Sequence, residues 1–125
     1  MEDTILQSKC DSFAVRIYQL DKYLQSRKEF SIANQILRAG TSIGANIAET
    51  PNSESTDDFI HKIAIARKEA NETQYWLRLL HNVQLIDDSY FNSIKAECTE
   101  LQRIMAATTK SLIAKKRLAS SADNN

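Results

Sequence analysis

Apolar residues recur at alternating steps of three and four along nearly all of this chain, and little interrupts them: two glycines and one proline in 125 residues. That spacing collects side chains on one side of a helix, where each residue turns by about 100°. Sheets need tight turns, and tight turns draw on glycine and proline, so a chain this poor in both is expected to be all-α. Its length suits one domain whose core is large enough to fold without staples.

Four stripes can be followed. The first helix is expected over about 4–26, with Cys10, Phe13, Ile17, Leu20 and Leu24 on its core side. The segment QSRKEFS breaks the pattern, and Ser31 is the expected cap of a second helix carrying Ile32, Ile36, Ala39, Ile43 and Ile47. Pro51 should end it near Thr50, because the residue before a proline is disfavoured in the helical region. The segment PNSEST reads as a loop, with Ser55 and Asp58 at the spacing of a capping box. A third helix then carries Phe59, Ile63, Ala66, Ala70, Thr73, Leu77 and Leu80 to about Asn82. Asp87 or Asp88 caps a fourth, with Phe91, Ile94, Cys98, Leu101, Met105, Thr108 and Leu112. Four stripes and short connections predict an antiparallel up-down-up-down four-helix bundle over residues 1–118. The segment ASSADNN, 119–125, is expected to be a polar tail.

The stretch RAGTSIGANIAE, residues 38–49, sets two glycines inside the second helix, where each costs roughly 1 kcal/mol relative to alanine. Ala33, Gly40, Gly44 and Ala48 fall on one flank, where missing side chains would let another helix approach closely. Arg38, Ser42, Asn46 and Glu49 fall on the other and predict a polar seam reachable from a neighbouring helix; a ligand site is the alternative. The third helix has a second apolar patch, Ile65, Trp76 and Leu79, interleaved with Glu69 and Glu72. A monomeric bundle needs one buried stripe per helix, so the extra patch points to a subunit interface and a homo-oligomer. A wide core edge with Trp76 half buried would also account for it.

Sixteen basic and sixteen acidic residues cancel, which leaves no overall field to attract nucleic acid. Local excess exists on the fourth helix, where Lys95, Arg103, Lys110 and Arg117 share the side opposite Leu101 and Leu112, with Lys115 and Lys116 nearby. Such a stripe could follow a phosphate backbone, or it is simply a solvated face. Arg67, Asn71, Gln74 and Arg78 make a weaker one on the third helix.

Catalytic and metal-binding patterns are sparse. No glutamate has a histidine three residues on, as two-metal bundles require. Asp57 and His61 could form half a metal site but read more simply as a surface pair, and His81 belongs to a helix end. Glu69 and Glu72 have no evident acid–base partner, and no phosphate-cradling glycine loop is present. We therefore expect no catalytic, metal or cofactor site. Cys10 and Cys98 lie on apolar stripes and read as small buried hydrophobes. No apolar run reaches the ~20 residues of a membrane span, and MEDTILQSKC is not a signal peptide, so a soluble cytoplasmic protein without a membrane partner is expected.

The segments RAGTSIGANIAE and DFIHKIAIARKEANETQYWLRLL, in this order, resemble the four-helix-bundle proteins first noticed as reading frames in intervening sequences of bacterial 23S ribosomal RNA genes, often labelled ribosomal protein S23. The resemblance covers roughly residues 8–116. It implies an antiparallel four-helix bundle that assembles as a homopentameric ring, with Ser42, Ile43, Asn46, Ile47 and Glu49 matching the helix-two signature and Glu72, Thr73 and Gln74 the helix-three one. Neither signature carries an established catalytic role. A related branch, the accessory proteins of diversity-generating retroelements, implies a basic pentamer bound to reverse transcriptase and nucleic acid; this chain differs from it in its zero net charge.

Three readings of function follow. The first is a non-enzymatic oligomeric scaffold or adaptor offering a helical surface to a protein or RNA partner. The second is an RNA- or nucleoprotein-binding protein that uses the helix-four stripe. The third is a metal-binding or catalytic bundle built from Asp57, His61, Glu69 and Glu72.

Overall fold

In a computed structural model, which describes residues 2–123, the four stripes become α1 (Glu2–Ser26), α2 (Phe30–Ala48), α3 (Thr56–Asn82) and α4 (Asp88–Asp123). The first residue of the expected domain and the last two of the expected tail lie outside the described residues. Each helix packs on its neighbour in the chain and α4 closes the ring against α1, while diagonal pairs do not meet among the described residues. This is an antiparallel four-helix bundle, and no strand occurs among the described residues.

The core follows the predicted spacing, except that Phe59, expected on the third stripe, is half-buried at its edge. Cys10, Phe13, Ile17, Leu20 and Leu24 of α1 are buried against Ile36, Ala39, Ile43 and Ile47 of α2 and the six positions from Ile63 to Leu80 of α3. From α4 come Phe91, Ile94, Cys98, Leu101 and Met105, while Thr108 and Leu112 are half-buried near the end of the bundle. Leu6 joins them, and so does a charged residue that the pattern did not mark: Asp21 is 1% exposed. Ile32 is only half-buried and Ala48 is exposed, so the tight flank of α2 is Ala33, Gly40 and Gly44.

The turns differ from expectation. Glu29, not Ser31, stands at the start of α2, with no side-chain cap. The chain leaves α1 through Lys28 in the left-handed region (φ 62°), and Glu29 N–H reaches back to the Leu24 carbonyl at 2.9 Å. Gln84 repeats this after α3 at φ 64°, with Leu85 N–H bonded to the Leu80 carbonyl at 2.9 Å. Both are helix-stop geometries of the kind that glycine usually serves. Ser55 caps α3, its side chain accepting from Asp58 N–H at 3.0 Å. The carboxylate of Asp58 accepts from Glu54 N–H at 3.0 Å, one residue beyond the cap itself. A hydrogen bond from Lys62 holds that carboxyl below its usual range. Asp87 opens α4 by accepting from Tyr90 N–H at 2.8 Å. Finally, α4 continues to Asp123 where an end near 118 was expected.

Candidate functional site

The two glycines of α2 answer to α1 of the same chain. A Cβ on Gly40 would lie 2.8 Å from both Cγ atoms of Ile17, and one on Gly44 would lie 3.3 Å from Cys10 Cβ. Gln7 Nε2 crosses the same gap to the Gly44 carbonyl at 3.2 Å. The helices are therefore close enough for side chain to meet backbone, and no ligand fits between them at Gly40 and Gly44.

On the other flank of α2 the expected seam divides. Ser42 Oγ donates to the Arg38 carbonyl at 2.6 Å and Asn46 Nδ2 to the Ser42 carbonyl at 2.8 Å, both within α2. Glu49 is exposed and has no side-chain hydrogen bond among the described residues. Only Arg38 crosses to α3. Its guanidinium donates to Glu69 Oε2 at 3.2 Å and, through its second nitrogen, to Glu72 Oε2. The same Glu72 oxygen accepts from Trp76 Nε1 at 3.2 Å. The structure thus joins Arg38 of the seam to Glu69, Glu72 and Trp76 of the helix-three patch. Ile65 and Leu79 are half-buried on that helix without entering the network.

One cation here serves two anions, so the cluster keeps a net charge of −1. Both carboxylates are engaged by one guanidinium, and a fork-shaped donor between two acceptors fixes their orientation. Trp76 packs partly against the core and meets Tyr75 edge-on at 5.0 Å, while the Tyr75 ring is half exposed.

The cationic stripe on α4 is exposed throughout: Lys95, Arg103, Lys110, Lys115, Lys116 and Arg117 all face solvent. Lys116 pairs with Asp57 at the start of α3. Among the described residues no carboxylate lies within ion-pair distance of Arg103, Lys110, Lys115 or Arg117. Lys95 sits 5.5 Å over the Phe91 ring. The stripe expected on α3 is divided, since Asn71 bonds Gln102 and Gln74 bonds Thr99, both on α4, leaving only Arg67 and Arg78 free of such ties.

Residues considered for metal or acid–base work go elsewhere. Asp57 is engaged by Lys116, and His61 is exposed. His81 stacks on Phe91 with ring centroids 4.2 Å apart and contacts Asp88 Oδ1 at 2.6 Å, so its partners are a ring and a carboxylate rather than helix-end carbonyls. No cluster of three metal-ligating side chains occurs among the described residues. Burial pushes the thiols of Cys10 and Cys98 up to about 12, which keeps both protonated and unreactive at neutral pH. No helix among the described residues is long and apolar enough to cross a membrane.

Spacing missed Asp21, whose Oδ2 accepts from Gln25 Nε2 at 2.9 Å and whose Oδ1 has no partner. A carboxylate one turn after a core isoleucine was the available signal.

The fold and surfaces define a four-helix bundle with an ion-paired cluster between α2 and α3 and a cationic outer helix. The chain belongs to the 23S rRNA-intervening sequence protein family, whose model matches residues 2–107. A solved structure of a protein with unknown function from the S23 ribosomal protein family of Bacteroides thetaiotaomicron VPI-5482 is 46% identical, with a TM-score of 0.85 over 88% of this chain and 99% of that one. No curated protein matches the chain.

Proposed function

We propose that the protein is a non-enzymatic scaffold or adaptor, working as a homo-oligomer in the cytoplasm and, on the family resemblance, as a pentameric ring. The observation that carries this reading is the α3 patch. Ile65, Trp76 and Leu79 each keep part of their surface in solvent, while the two glutamates between them are drawn off to Arg38. A patch of aliphatic and aromatic side chains whose carboxylates are both engaged by one guanidinium suits a subunit interface, which disfavours unpaired charge at its centre. The engagement of Glu69, Glu72 and Asp57 in ion pairs, and the two buried thiols, favour a binding role over catalysis.

Light scattering on nuclease-treated protein at micromolar concentration tests this. A mass of several chains is expected, falling in Trp76→Ala with helix content retained. A 14.2 kDa particle at every concentration would refute the oligomer.

A second reading, RNA binding through α4, is favoured by the cations there that lack carboxylate partners. From Arg103 to the C-terminus there are five basic residues and one acid. Binding of this kind weakens steeply with salt, and Lys110→Glu with Arg117→Glu should reduce it. Binding insensitive to both would remove this reading.

A further inference from the structure

The last part of α4 runs past the core and lies against the start of α3, where Ile113, Lys116 and Arg117 border an open cleft with Asp57 and Ile60. From Ile113 to Ala122 every residue is exposed, with Leu118 at 72%, yet the backbone is helical through Asp123. Ten residues of helix span about 15 Å. A helix so short is marginal in water on its own, and among the described residues one ion pair, Lys116 to Asp57, ties this one to its own bundle. It also lies beyond residue 107, where the match to the family model stops. On this arm Lys110, Ile113, Ala114, Arg117 and Leu118 follow the steps of three and four that make one face. That face is mixed, two cations with an isoleucine, an alanine and a leucine.

The remainder of the chain has the opposite character. Residues 1–102 hold eleven basic and fifteen acidic residues, balancing the excess of four positive charges that follows. Between α1 and α2 runs a groove of about 600 Å³, with Val15, Ile47 and Pro51 as its apolar lining and Asp11 on its rim. Glu49 and Glu54 flank the Thr50–Asn52 turn beside it. None of these three carboxylates has a cation within ion-pair distance among the described residues. The arm cannot reach this groove in its own chain: it continues straight along α4, which lies diagonally across the bundle from α2.

We infer that the α4 arm docks into the α1–α2 groove of a second copy of this chain, Leu118 entering among Val15, Ile47 and Pro51 and Lys110 and Arg117 meeting Asp11 and Glu49. The inference rests on the homo-oligomer reading above and names an interface for it. Arm and groove are different patches on elements that do not meet within one chain, so a head-to-tail contact satisfies both, and its repetition closes a ring or runs on as a filament.

The test is the dissociation midpoint from concentration-dependent light scattering on nuclease-treated full-length protein, with helix content checked by circular dichroism. All substituted positions but Leu118 are exposed charges, and Leu118 is itself exposed, so folding should survive. We expect Lys110→Glu with Arg117→Glu to weaken assembly at least tenfold, and added Asp11→Lys with Glu49→Lys to restore it. Leu118→Ser should weaken it at unchanged charge, which an arm used only for RNA would not show. An assembled wild type whose midpoint is unmoved by the arm variants, or variants not restored by the reciprocal reversal, would overturn the arm–groove contact alone. A monomeric wild type would overturn the oligomer reading with it.

Discussion

Gly40→Ala puts the approach of α1 to α2 to a quantitative test. On helix propensity alone the substitution should gain about 1 kcal/mol, since alanine is the best helix former and glycine among the poorest. Packing opposes it. The new Cβ would sit 2.8 Å from Cγ1 and Cγ2 of Ile17 and 3.2 Å from its Cβ. Carbon atoms normally rest about 3.5–4.0 Å apart, so the overlap is close to an ångström. Ile17 cannot turn aside: it is fully buried, and a β-branched side chain in a helix has one strongly preferred χ1 rotamer. The helices must therefore separate locally, at the upper end of the 1–3 kcal/mol typical of overpacking. A net loss of about 2 kcal/mol is expected, or about 8 °C in melting temperature for a domain of this size. Gly44→Ala is the internal control. Its Cβ would meet Cys10 Cβ at 3.3 Å, a contact that a small shift relieves, so the propensity gain should roughly cancel the strain.

Urea denaturation followed by circular dichroism, at one fixed protomer concentration, measures both variants. The sharper readout is coupling: Ile17→Ala removes both Cγ atoms, so adding Gly40→Ala to it should cost about 2 kcal/mol less than in the wild type. Zero coupling, or a Gly40→Ala protein more stable than the wild type, would show that the α1–α2 spacing is not set by this contact.

Lys28→Gly and Gln84→Gly should each raise stability by about 0.5–1 kcal/mol in the same assay, because they relieve non-glycine residues held at positive φ; a loss at both would refute the turn geometry. Asp21→Asn should raise stability at neutral pH by about 1 kcal/mol, since it removes a buried carboxylate whose Oδ1 is unpartnered, and a loss would mean that the charge has a compensating partner. The folded thiols of Cys10 and Cys98 ionise at about 12 against an ordinary 9.0, so only the unfolded chain loses these protons between those values. Stability should therefore fall as pH rises through that window, and the double Cys→Ala variant should show a shallower fall. An equal slope in both would place the pH dependence elsewhere.

The core was legible because burial imposes a period, and a period survives in a single sequence. Residues from Cys10 to Met105 fall inside for that reason. What escaped notice has local physical causes. Lys28 and Gln84 stop their helices through backbone hydrogen bonds from the following residues, a device that no residue type announces when glycine is not used. Ser42 and Asn46 are short, and their own helix offers carbonyls one turn back, so they bond within α2; Arg38 is long enough to cross. The end of α4 was misjudged from polarity alone. After Pro51 the chain contains neither glycine nor proline, so nothing in KRLASSAD breaks the helix. As for the candidate site, the pairing of Arg38 with Glu69 and Glu72 needed the α2–α3 juxtaposition, which spacing along one helix does not contain.

The two flanks of α2 decide which surfaces remain for other molecules. One is stripped to Gly40 and Gly44 so that α1 can close on it, and the other sends Arg38 across to α3. Toward solvent α2 presents Asn34, Gln35, Ala45, Ala48 and Glu49, all exposed, with the negative charge of Glu49 at its C-terminal end. Diagonally across the bundle, α4 presents Arg103, Lys110 and Arg117, one cation every seven residues. Joining two copies through like faces would set cations against cations, whereas unlike faces bring the cationic helix to the acidic end of α2. Unlike faces on opposite sides of a rigid body cannot both be satisfied in a two-fold pair. The charge pattern of one chain therefore favours an assembly that continues from copy to copy until it closes.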